Sequence, residues 1–188
     1  MHISLTEQAQ RFIGKALTPG SVALDATTGN GHDTAFLAEQ VGKNGRVFAF
    51  DVQPQALRNA RSHLEKLGLD ERVSFILAGH QQLHNHIPAP WRGKIRAVMF
   101  NLGYLPGSDK SITTRPPSTL SALHQASQLL AAGGRISLIA YTGHPGGREE
   151  AEAIGEWLAA RISPQFAWQS YEPEGRQSPP RLFLIERL

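Results

Sequence analysis

The sequence predicts an α/β fold in which helices cover both faces of a mostly parallel sheet of seven strands with an antiparallel edge strand. Short apolar strands alternate with helices five times along the chain, which is the pattern of a parallel sheet. The last two strands follow each other across a Pro/Gly turn, which favours an antiparallel pair at the edge. A length of 188 residues, with 40% hydrophobic and 19% charged side chains, suits one globular domain over residues 1–188.

The first half of the chain begins with an amphipathic helix. Apolar side chains from Ile3 to Leu17 recur at helical spacing, and Pro19-Gly20 can end the helix. We expect residues 1–18 to pack on the rest of the domain. The elements that follow are predicted at residues 21–25 (strand), 32–41 (helix), 45–51 (strand), 54–67 (helix), 73–77 (strand) and from 80 onward (short helix).

The second half alternates in the same way after a proline-rich turn at residues 88–90. Its predicted elements are 95–101 (strand), 119–130 (helix), 135–141 (strand), 148–161 (helix), 166–171 (strand) and 181–186 (strand). A long segment rich in Gly, Pro, Ser and Thr, residues 102–118, separates the fourth strand from its helix. We expect this segment at the ligand-binding edge, because it leaves the carboxyl end of a strand.

Composition excludes several classes of function. The chain has no cysteine, which excludes a disulfide framework and a thiolate metal site or nucleophile. No apolar run approaches the roughly 18–20 residues of a membrane span, and the N-terminus lacks a signal-peptide pattern. We therefore expect a cytoplasmic protein with no membrane partner. A net charge of +3 and a pI near 9.5 are compatible with nucleic acid, although the positive charges are scattered.

The clearest functional motif lies at the end of the first strand, at Leu24–Thr34 (LDATTGNGHDT). Glycines at such a turn let the main chain approach a ligand closely. A dinucleotide site requires Gly-x-Gly-x-x-Gly, but Thr34 stands where the third glycine would be. The motif fits better the S-adenosylmethionine (SAM) site of Rossmann-like class I methyltransferases, in which an acid precedes a Gly-x-Gly turn. Asp25 is that acid, expected to accept from the ligand's ammonium group; a turn without a ligand is the alternative.

Two further strand ends extend this predicted cofactor site. Asp51 ends the second strand, 20 residues after Gly31, where a carboxylate can accept hydrogen bonds from both ribose hydroxyls. A cap for the next helix is the alternative. His80 and Gln81 end the third strand, where SAM enzymes often contact adenine. The predicted cofactor-binding residues are Asp25, Thr27, Gly29, Asn30, Gly31, Asp33, Asp51, Gln53, His80, Gln81 and Asn101.

The fourth strand ends in Asn101–Gly107 (NLGYLPG), at the position of the motif used by amino-methylating enzymes. That chemistry requires an acceptor side chain and a main-chain carbonyl, which together hold an amine in line with the methyl group. We predict that Asn101 and Leu102 fill these catalytic roles. Tyr104 is predicted to pack against a planar base. A turn with a polar cap is the alternative interpretation.

Histidines occur at two places of interest. His80, His84 and His86 are spaced like metal ligands, but no carboxylate or cysteine completes the set. A solvated helix face is therefore favoured, and no metal is predicted. His144 lies on the loop that leaves the fifth strand at the ligand-binding edge, close to Tyr141. Both are predicted to bind substrate, and for His144 a purely structural role fits equally well.

Over nearly its whole length, the sequence resembles the MnmM family, the YtqB-like rRNA methylases. The matching motifs are residues 24–34 (LDATTGNGHDT), 101–107 (NLGYLPG), the Thr/Pro/Ser segment up to 123, and 141–147 (YTGHPGG). Many methyltransferases share the first motif, whereas the second and fourth together are specific. The resemblance implies a SAM-dependent enzyme that converts 5-aminomethyl-2-thiouridine at the tRNA wobble position to its methylaminomethyl form, with the anticodon stem-loop as partner.

The predicted mechanism is direct in-line methyl transfer with SAM as the cofactor and no covalent enzyme intermediate. The target amine must be neutral, and burial disfavours its ammonium form. Several alternatives stay open: rRNA or a small molecule as the substrate, a SAM- or nucleotide-binding module without catalysis, and an NAD-dependent oxidoreductase. A homodimer is also left open.

Overall fold

The computed structural model describes residues 3–104, 113–162, 164–175 and 177–188, in which six α-helices and seven strands alternate. The helices are α1 (Leu5–Gly14), α2 (His32–Val41), α3 (Pro54–Leu67), α4 (Leu83–His86), α5 (Pro116–Leu129) and α6 (Gly147–Arg161). The strands are β1 (Val22–Asp25), β2 (Arg46–Asp51), β3 (Val73–Leu77), β4 (Ile95–Leu102), β5 (Leu130–Ala140), β6 (Phe166–Tyr171) and β7 (Arg181–Arg187).

All these strands join one sheet in the order β3-β2-β1-β4-β5-β7-β6. The first five are parallel, whereas β7 runs antiparallel between β5 and the edge strand β6. The predicted fold class is therefore confirmed. Asp25 pairs with Ala49 of β2 and Met99 of β4. The strand ends that carry Asp25, Asp51 and Asn101 consequently meet at one edge of the sheet.

The core lies on both faces of the sheet, because successive strand residues point to opposite sides. On one face Leu24, Phe50 and Phe100 pack with α4, α5 and α6. On the other, Ala23 and Met99 pack with α1, α2 and α3. Complete burial of such a Leu or Phe side chain contributes roughly 1.5–3 kcal/mol. Two apolar layers thus hold the carboxyl ends of the strands in fixed positions.

The main differences from the predicted boundaries lie around α5 and β5. Helix α5 begins at Pro116 rather than Thr119, since the fixed φ of proline suits the first turn. Leu130, predicted to end this helix, is extended and already pairs with Ile95. The β4–β5 register then shifts before Ala97 pairs with Arg135. Strand β5 therefore starts five residues earlier than residue 135.

Helix α1 also ends earlier than predicted, at Gly14 rather than near Pro19-Gly20. It packs on the sheet through polar as well as apolar contacts. The Arg135 guanidinium donates to the Phe12 carbonyl at 2.9 Å and lies 4.6 Å from the Phe12 ring centroid. Arg96 Nε donates to the Ala16 carbonyl at 3.1 Å. Two strands of the sheet thereby hold the N-terminal segment.

None of the helices in the described part of the chain combines the length and apolar character needed to cross a membrane.

Candidate functional site

A cavity of about 890 Å³ opens at the carboxyl ends of the parallel strands, the edge at which open α/β sheets bind ligands. The predicted site residues that line it are Thr27, Gly29, Asn30, Asp33, Asp51, Gln53, His80, Gln81, Asn101, Leu102, Tyr104, Tyr141 and His144. The structure thus brings together residues from the first, second, third, fourth and fifth strand ends.

Asp25 does not reach this cavity. Its side chain is fully buried, with Oδ1 accepting from the Thr27 amide at 3.1 Å and Oδ2 accepting from Thr34 Oγ1 at 2.6 Å. Burial, together with the charges of Asp33 and Asp51, raises the pKa of this carboxyl to about 7, although the hydrogen bonds from Thr34 and Thr27 oppose the shift. The predicted direct contact between Asp25 and a ligand is therefore corrected: Asp25 holds the turn behind the cavity wall.

The two glycines of the motif have different roles. Gly31 has φ of 84°, and a Cβ there would lie 2.9 Å from Ala60 Cα. Gly31 lies outside the cavity lining, so its predicted ligand contact is corrected to a close approach of α2 and α3. Gly29 lines the cavity and also has positive φ, 52°. Its amide donates to Asp51 Oδ2 at 2.9 Å, which joins the first two strand ends.

The Asp51 carboxylate is fixed by the main chain on both sides. Besides the Gly29 bond, Oδ1 accepts from the Gln53 amide at 2.9 Å. Each carboxylate oxygen can accept two hydrogen bonds, so both retain capacity toward the cavity that Asp51 lines. Asp51 therefore combines a fixed orientation with the acceptors that a ribose diol requires.

The third strand end supplies a neutral wall. His80 is 7% exposed, and its ring meets the Phe100 ring edge-on with centroids 5.9 Å apart. Burial lowers the pKa of His80 to about 4, although a hydrogen bond to the Ala26 main chain opposes this effect. His80 is thus uncharged at neutral pH. Gln81 is exposed and lines the cavity, and its main-chain carbonyl accepts from Gln125 Nε2 at 2.6 Å.

At the fourth strand end, Asn101 is held by two hydrogen bonds. Its main-chain amide donates to Thr27 Oγ1 at 2.6 Å, and its side-chain Nδ2 donates to Asp33 Oδ2. No described residue donates to Oδ1, so this oxygen can accept from a ligand. The Leu102 carbonyl already accepts from the Tyr141 amide at 3.2 Å. This bond extends the β4–β5 pairing, and because a carbonyl oxygen can accept two hydrogen bonds, the role of Leu102 as second acceptor for the amine stays a prediction.

Aromatic rings form the outer lip of the cavity. Tyr104 and His144 meet edge-on, with ring centroids 5.7 Å apart. The His144 ring occupies space left by Gly103 and Gly147, because a Cβ at either glycine would lie 3.4 and 2.9 Å from Nε2, respectively. Tyr141 is 45% exposed. Burial raises the pKa of its phenol, and the charge of Asp33 raises it further.

Main-chain hydrogen bonds join the end of β4 to the residues that precede α5. Tyr104 forms an antiparallel bridge with Thr113, and the Thr114 amide donates to the Gly103 carbonyl at 3.0 Å. Thr114 Oγ1 in turn donates to Glu150 at 2.7 Å. Residues 105–107 of the predicted NLGYLPG motif lie outside the described residues.

The sequence prediction lacked two residues of α1, Thr6 at the cavity and Gln10 in contact with Asp33 of its lining. Thr6 lines the cavity, and Gln10 Nε2 donates to Asp33 Oδ1 at 2.8 Å. Gln10 is 23 residues from its partner, so no local motif connects the two.

The three histidines of the short helix do not converge. The His84 amide donates to Gln125 Oε1 at 2.9 Å, while the His86 ring meets Phe50 edge-on at 6.0 Å. Of the three, His80 alone lines the cavity. Over the described part of the chain, no three His, Cys, Asp or Glu side chains are arranged to hold a metal ion.

The cavity has an acidic character. Asp33 and Asp51 line it, and the described lining includes no Lys or Arg. A ligand with positive charge is favoured here, since carboxylates attract it at short range.

Comparison with known proteins relates the chain to methyltransferases. A family model described as "Putative rRNA methylase" matches residues 47–186. A second model, of protein-L-isoaspartate O-methyltransferases, matches residues 2–91. The crystal structure of a protein named "putative rRNA-methylase" from Clostridium thermocellum is 42% identical to this chain. Its TM-score is 0.93, and the match covers both chains completely. A "putative methyltransferase" from Streptococcus mutans, solved in complex with SAH, is 36% identical with a TM-score of 0.88 and the same coverage.

A curated relative from Arabidopsis thaliana is named tRNA (mnm(5)s(2)U34)-methyltransferase, chloroplastic. It is 40% identical over 157 residues, which are 79% of this chain and 57% of that protein. The chain thus spans little more than half of this relative's length. The match of one family model over most of the chain, together with two full-length structural matches, decides the family. The chain belongs to the family described as "Putative rRNA methylase".

Proposed function

We propose that the protein is a SAM-dependent methyltransferase that methylates the primary amine of 5-aminomethyl-2-thiouridine at the tRNA wobble position. The observation that carries the proposal is the Asn101 amide at the end of β4, oriented by Asp33 beside an acidic cavity. The name of the Arabidopsis relative supports the choice of substrate. The anticodon stem-loop is the proposed partner.

The residues of the cavity fit SAM. This cofactor supplies, when bound, a methyl group activated by a sulfonium, and it also carries an ammonium, a carboxylate and a ribose. Asp51 would hold the ribose hydroxyls, while the neutral His80 and Gln81 would border the adenine. Asp33 and Asp51 provide the negative charge that a cationic ligand requires. Main-chain groups at Gly29 and Asn30 would hold the amino-acid part.

The chain's own contribution to the reaction is to hold the amine and keep it neutral. Asn101 Oδ1 would accept one amine N–H, which directs the nitrogen lone pair along a fixed line. Exclusion of water would favour the neutral amine. Tyr104 would pack against the uracil ring, with His144 supporting it edge-on at 5.7 Å.

We further propose that the protein acts in the cytoplasm as one domain over residues 1–188. A homodimer stays a prediction.

The test is methylation of a defined RNA. Purified protein is incubated with SAM and tRNA from a strain that lacks this methylation, and the nucleosides are analysed by mass spectrometry. We expect 5-aminomethyl-2-thiouridine to gain one methyl group. Ribosomal RNA from the same strain is the matched substrate control. Methylation of rRNA with unchanged tRNA would overturn the proposed substrate, and methylation of neither would overturn the activity.

A further inference from the structure

A chain of side-chain hydrogen bonds connects the N-terminal helix to the predicted amine acceptor. Gln10 Nε2 on α1 donates to Asp33 Oδ1 at 2.8 Å, and Asn101 Nδ2 donates to the other oxygen of the same carboxylate. Asp33 is 7% exposed, so little water competes for these bonds. Gln10, Asp33 and Asn101 come from three separate elements of the fold.

The carboxylate decides which way the Asn101 amide faces. The two ends of an asparagine amide have nearly the same shape but opposite hydrogen-bonding character, since the oxygen accepts and the nitrogen donates. An ionised carboxylate offers acceptors alone, so Asp33 selects the nitrogen and leaves the oxygen for the cavity. The bond from Gln10 keeps the carboxylate from rotating away from Asn101.

We propose that Gln10 and Asp33 are positioning residues that fix the Asn101 amide with its oxygen toward the substrate amine. The assignment rests on the proposed function for the identity of that amine. In this assignment α1 is part of the active site and does more than cover the sheet. Removal of either residue lets the amide turn, so that a donor faces the amine in a fraction of molecules.

The first test replaces Gln10. In Gln10→Ala we expect the methylation rate at saturating substrate to fall by about tenfold, the scale of a small misplacement of a reacting group. The KM for SAM and the melting temperature should stay close to wild type. Gln8→Ala is the matched control, because Gln8 lies on the same helix and donates to the Ile3 carbonyl. Equal rates in both variants would overturn the role of Gln10.

The second test exchanges the two partners. Asp33→Asn and Asn101→Asp should each lower the rate by roughly 10²-fold. The first variant places two amides face to face, and the second places two carboxylates face to face. The double variant restores the pair: the new amide at position 33 donates to the new carboxylate at position 101 and still accepts from Gln10. We expect it to regain most of the rate lost in the single variants. A double variant no faster than the slower single variant would contradict the proposal.

A third measurement needs no substrate and separates this inference from the proposed function. In nitrogen–proton correlation spectra, the Asn101 side-chain signal is identified by its loss in Asn101→Asp. We expect its protons to exchange slowly with water in the wild type and faster in Gln10→Ala, with no change in Gln8→Ala. Fast exchange in the wild type would overturn the positioning role. Slow exchange in a protein that methylates no RNA would overturn the proposed function alone.

Discussion

At the scale of single residues, Asp51 gives the most direct test of the cofactor. Its carboxylate is held by the Gly29 and Gln53 amides while it faces the cavity. If it accepts from two ribose hydroxyls, Asp51→Ala should weaken SAM binding by about 1.5–3 kcal/mol, the usual contribution of hydrogen bonds to a charged group. Titration calorimetry with SAM and with S-adenosylhomocysteine measures the loss.

The control for this prediction is Glu65→Ala, which removes an exposed carboxylate on α3 and should leave affinity unchanged. NADH serves as the matched ligand control, and the wild type should not bind it. Equal SAM affinity in Asp51→Ala and wild type would contradict the assigned role of Asp51.

Asn101 tests catalysis separately from binding. In Asn101→Ala we expect SAM affinity close to wild type, because the proposed cofactor contacts lie chiefly at the first three strand ends. Turnover should fall by roughly 10²-fold or more, the scale for loss of a positioning or electrostatic contact. Single-turnover kinetics on tRNA that carries the aminomethyl group, with a melting curve alongside, measures both properties.

The matched amide control is Asn85→Ala, at an exposed position of α4. If Asn101 were a turn cap, its variant would melt at a lower temperature but methylate at the wild-type rate per folded molecule. That result would remove Asn101 from the catalytic site and direct attention to the His144 loop.

The position of a residue at a strand end was predictable, whereas its burial was not. Asp25 and Asp51 both end strands and follow the same local pattern, so the sequence predicted ligand contact for both. In the structure Asp25 is fully buried behind Thr27 and Thr34, while Asp51 lines the cavity. The difference depends on how the turn folds over the strand end, which is a tertiary property.

At the scale of elements, Glu150 joins α6 to α5 and to the residues just before it. Its side chain is 1% exposed and accepts from Thr114 at 2.7 Å and from Thr119 at 2.6 Å. In Glu150→Ala both hydroxyls lose their acceptor, which should lower the free energy of unfolding by roughly 2–4 kcal/mol. Hydrogen exchange at residues 113–119 should become faster. Urea unfolding and exchange mass spectrometry measure these effects.

Glu149→Ala is the matched control, since Glu149 is the exposed neighbour in the same first turn of α6. It keeps the two threonine contacts and should change the unfolding free energy by a few tenths of a kcal/mol at most. If both variants lost the same stability, loss of helix-end charge rather than loss of the threonine bonds would explain the effect.

Element boundaries were predictable where local signals mark both ends. The bounds of α2 and α3 match the prediction, because a glycine follows each helix and Pro54 begins the second. The start of β5 was missed, since Leu130 pairs with Ile95 and the register then shifts across residues 131–134. The sequence of residues 130–134, LAAGG, has no strand alternation. Pairing with a neighbouring strand, which a linear pattern does not encode, overrides the helical propensity of Leu and Ala.

At the scale of the whole molecule, two buried groups give opposite pH dependences of stability. Burial raises the pKa of Asp25 from 3.8 to about 7, aided by the charges of Asp33 and Asp51. The folded state therefore holds a proton that the unfolded chain has lost, and stability falls as pH rises through this window. Burial lowers the pKa of His80 from 6.5 to about 4, so its contribution rises as pH increases between these values.

The difference in unfolding free energy between a variant and the wild type, measured against pH, isolates the contribution of each group. For Asp25→Asn, which can keep the bonds to Thr27 and Thr34, the unfolding free energy relative to wild type should increase from pH 4 to 7 and then level off. For His80→Phe, the relative value should decrease from pH 4 to 6.5. Urea unfolding at several pH values gives both curves. Parallel curves for the two variants would show that neither group titrates in the folded state as described.

The docking of α1 on distant strands has a consequence for synthesis on the ribosome. Phe12 receives its hydrogen bond from Arg135, 123 residues later in the chain, and Ala16 receives one from Arg96, 80 residues later. At translation speeds of about 5–20 residues per second, Phe12 is synthesised roughly 6–25 s before Arg135. An isolated helix of 10 residues is marginal in water, so during this interval the segment is largely unfolded, with Ala9 and Ile13 uncovered. The cavity is therefore completed only after β5 has left the ribosome, and a nascent chain stalled before that point carries the glycine turn without the finished cavity.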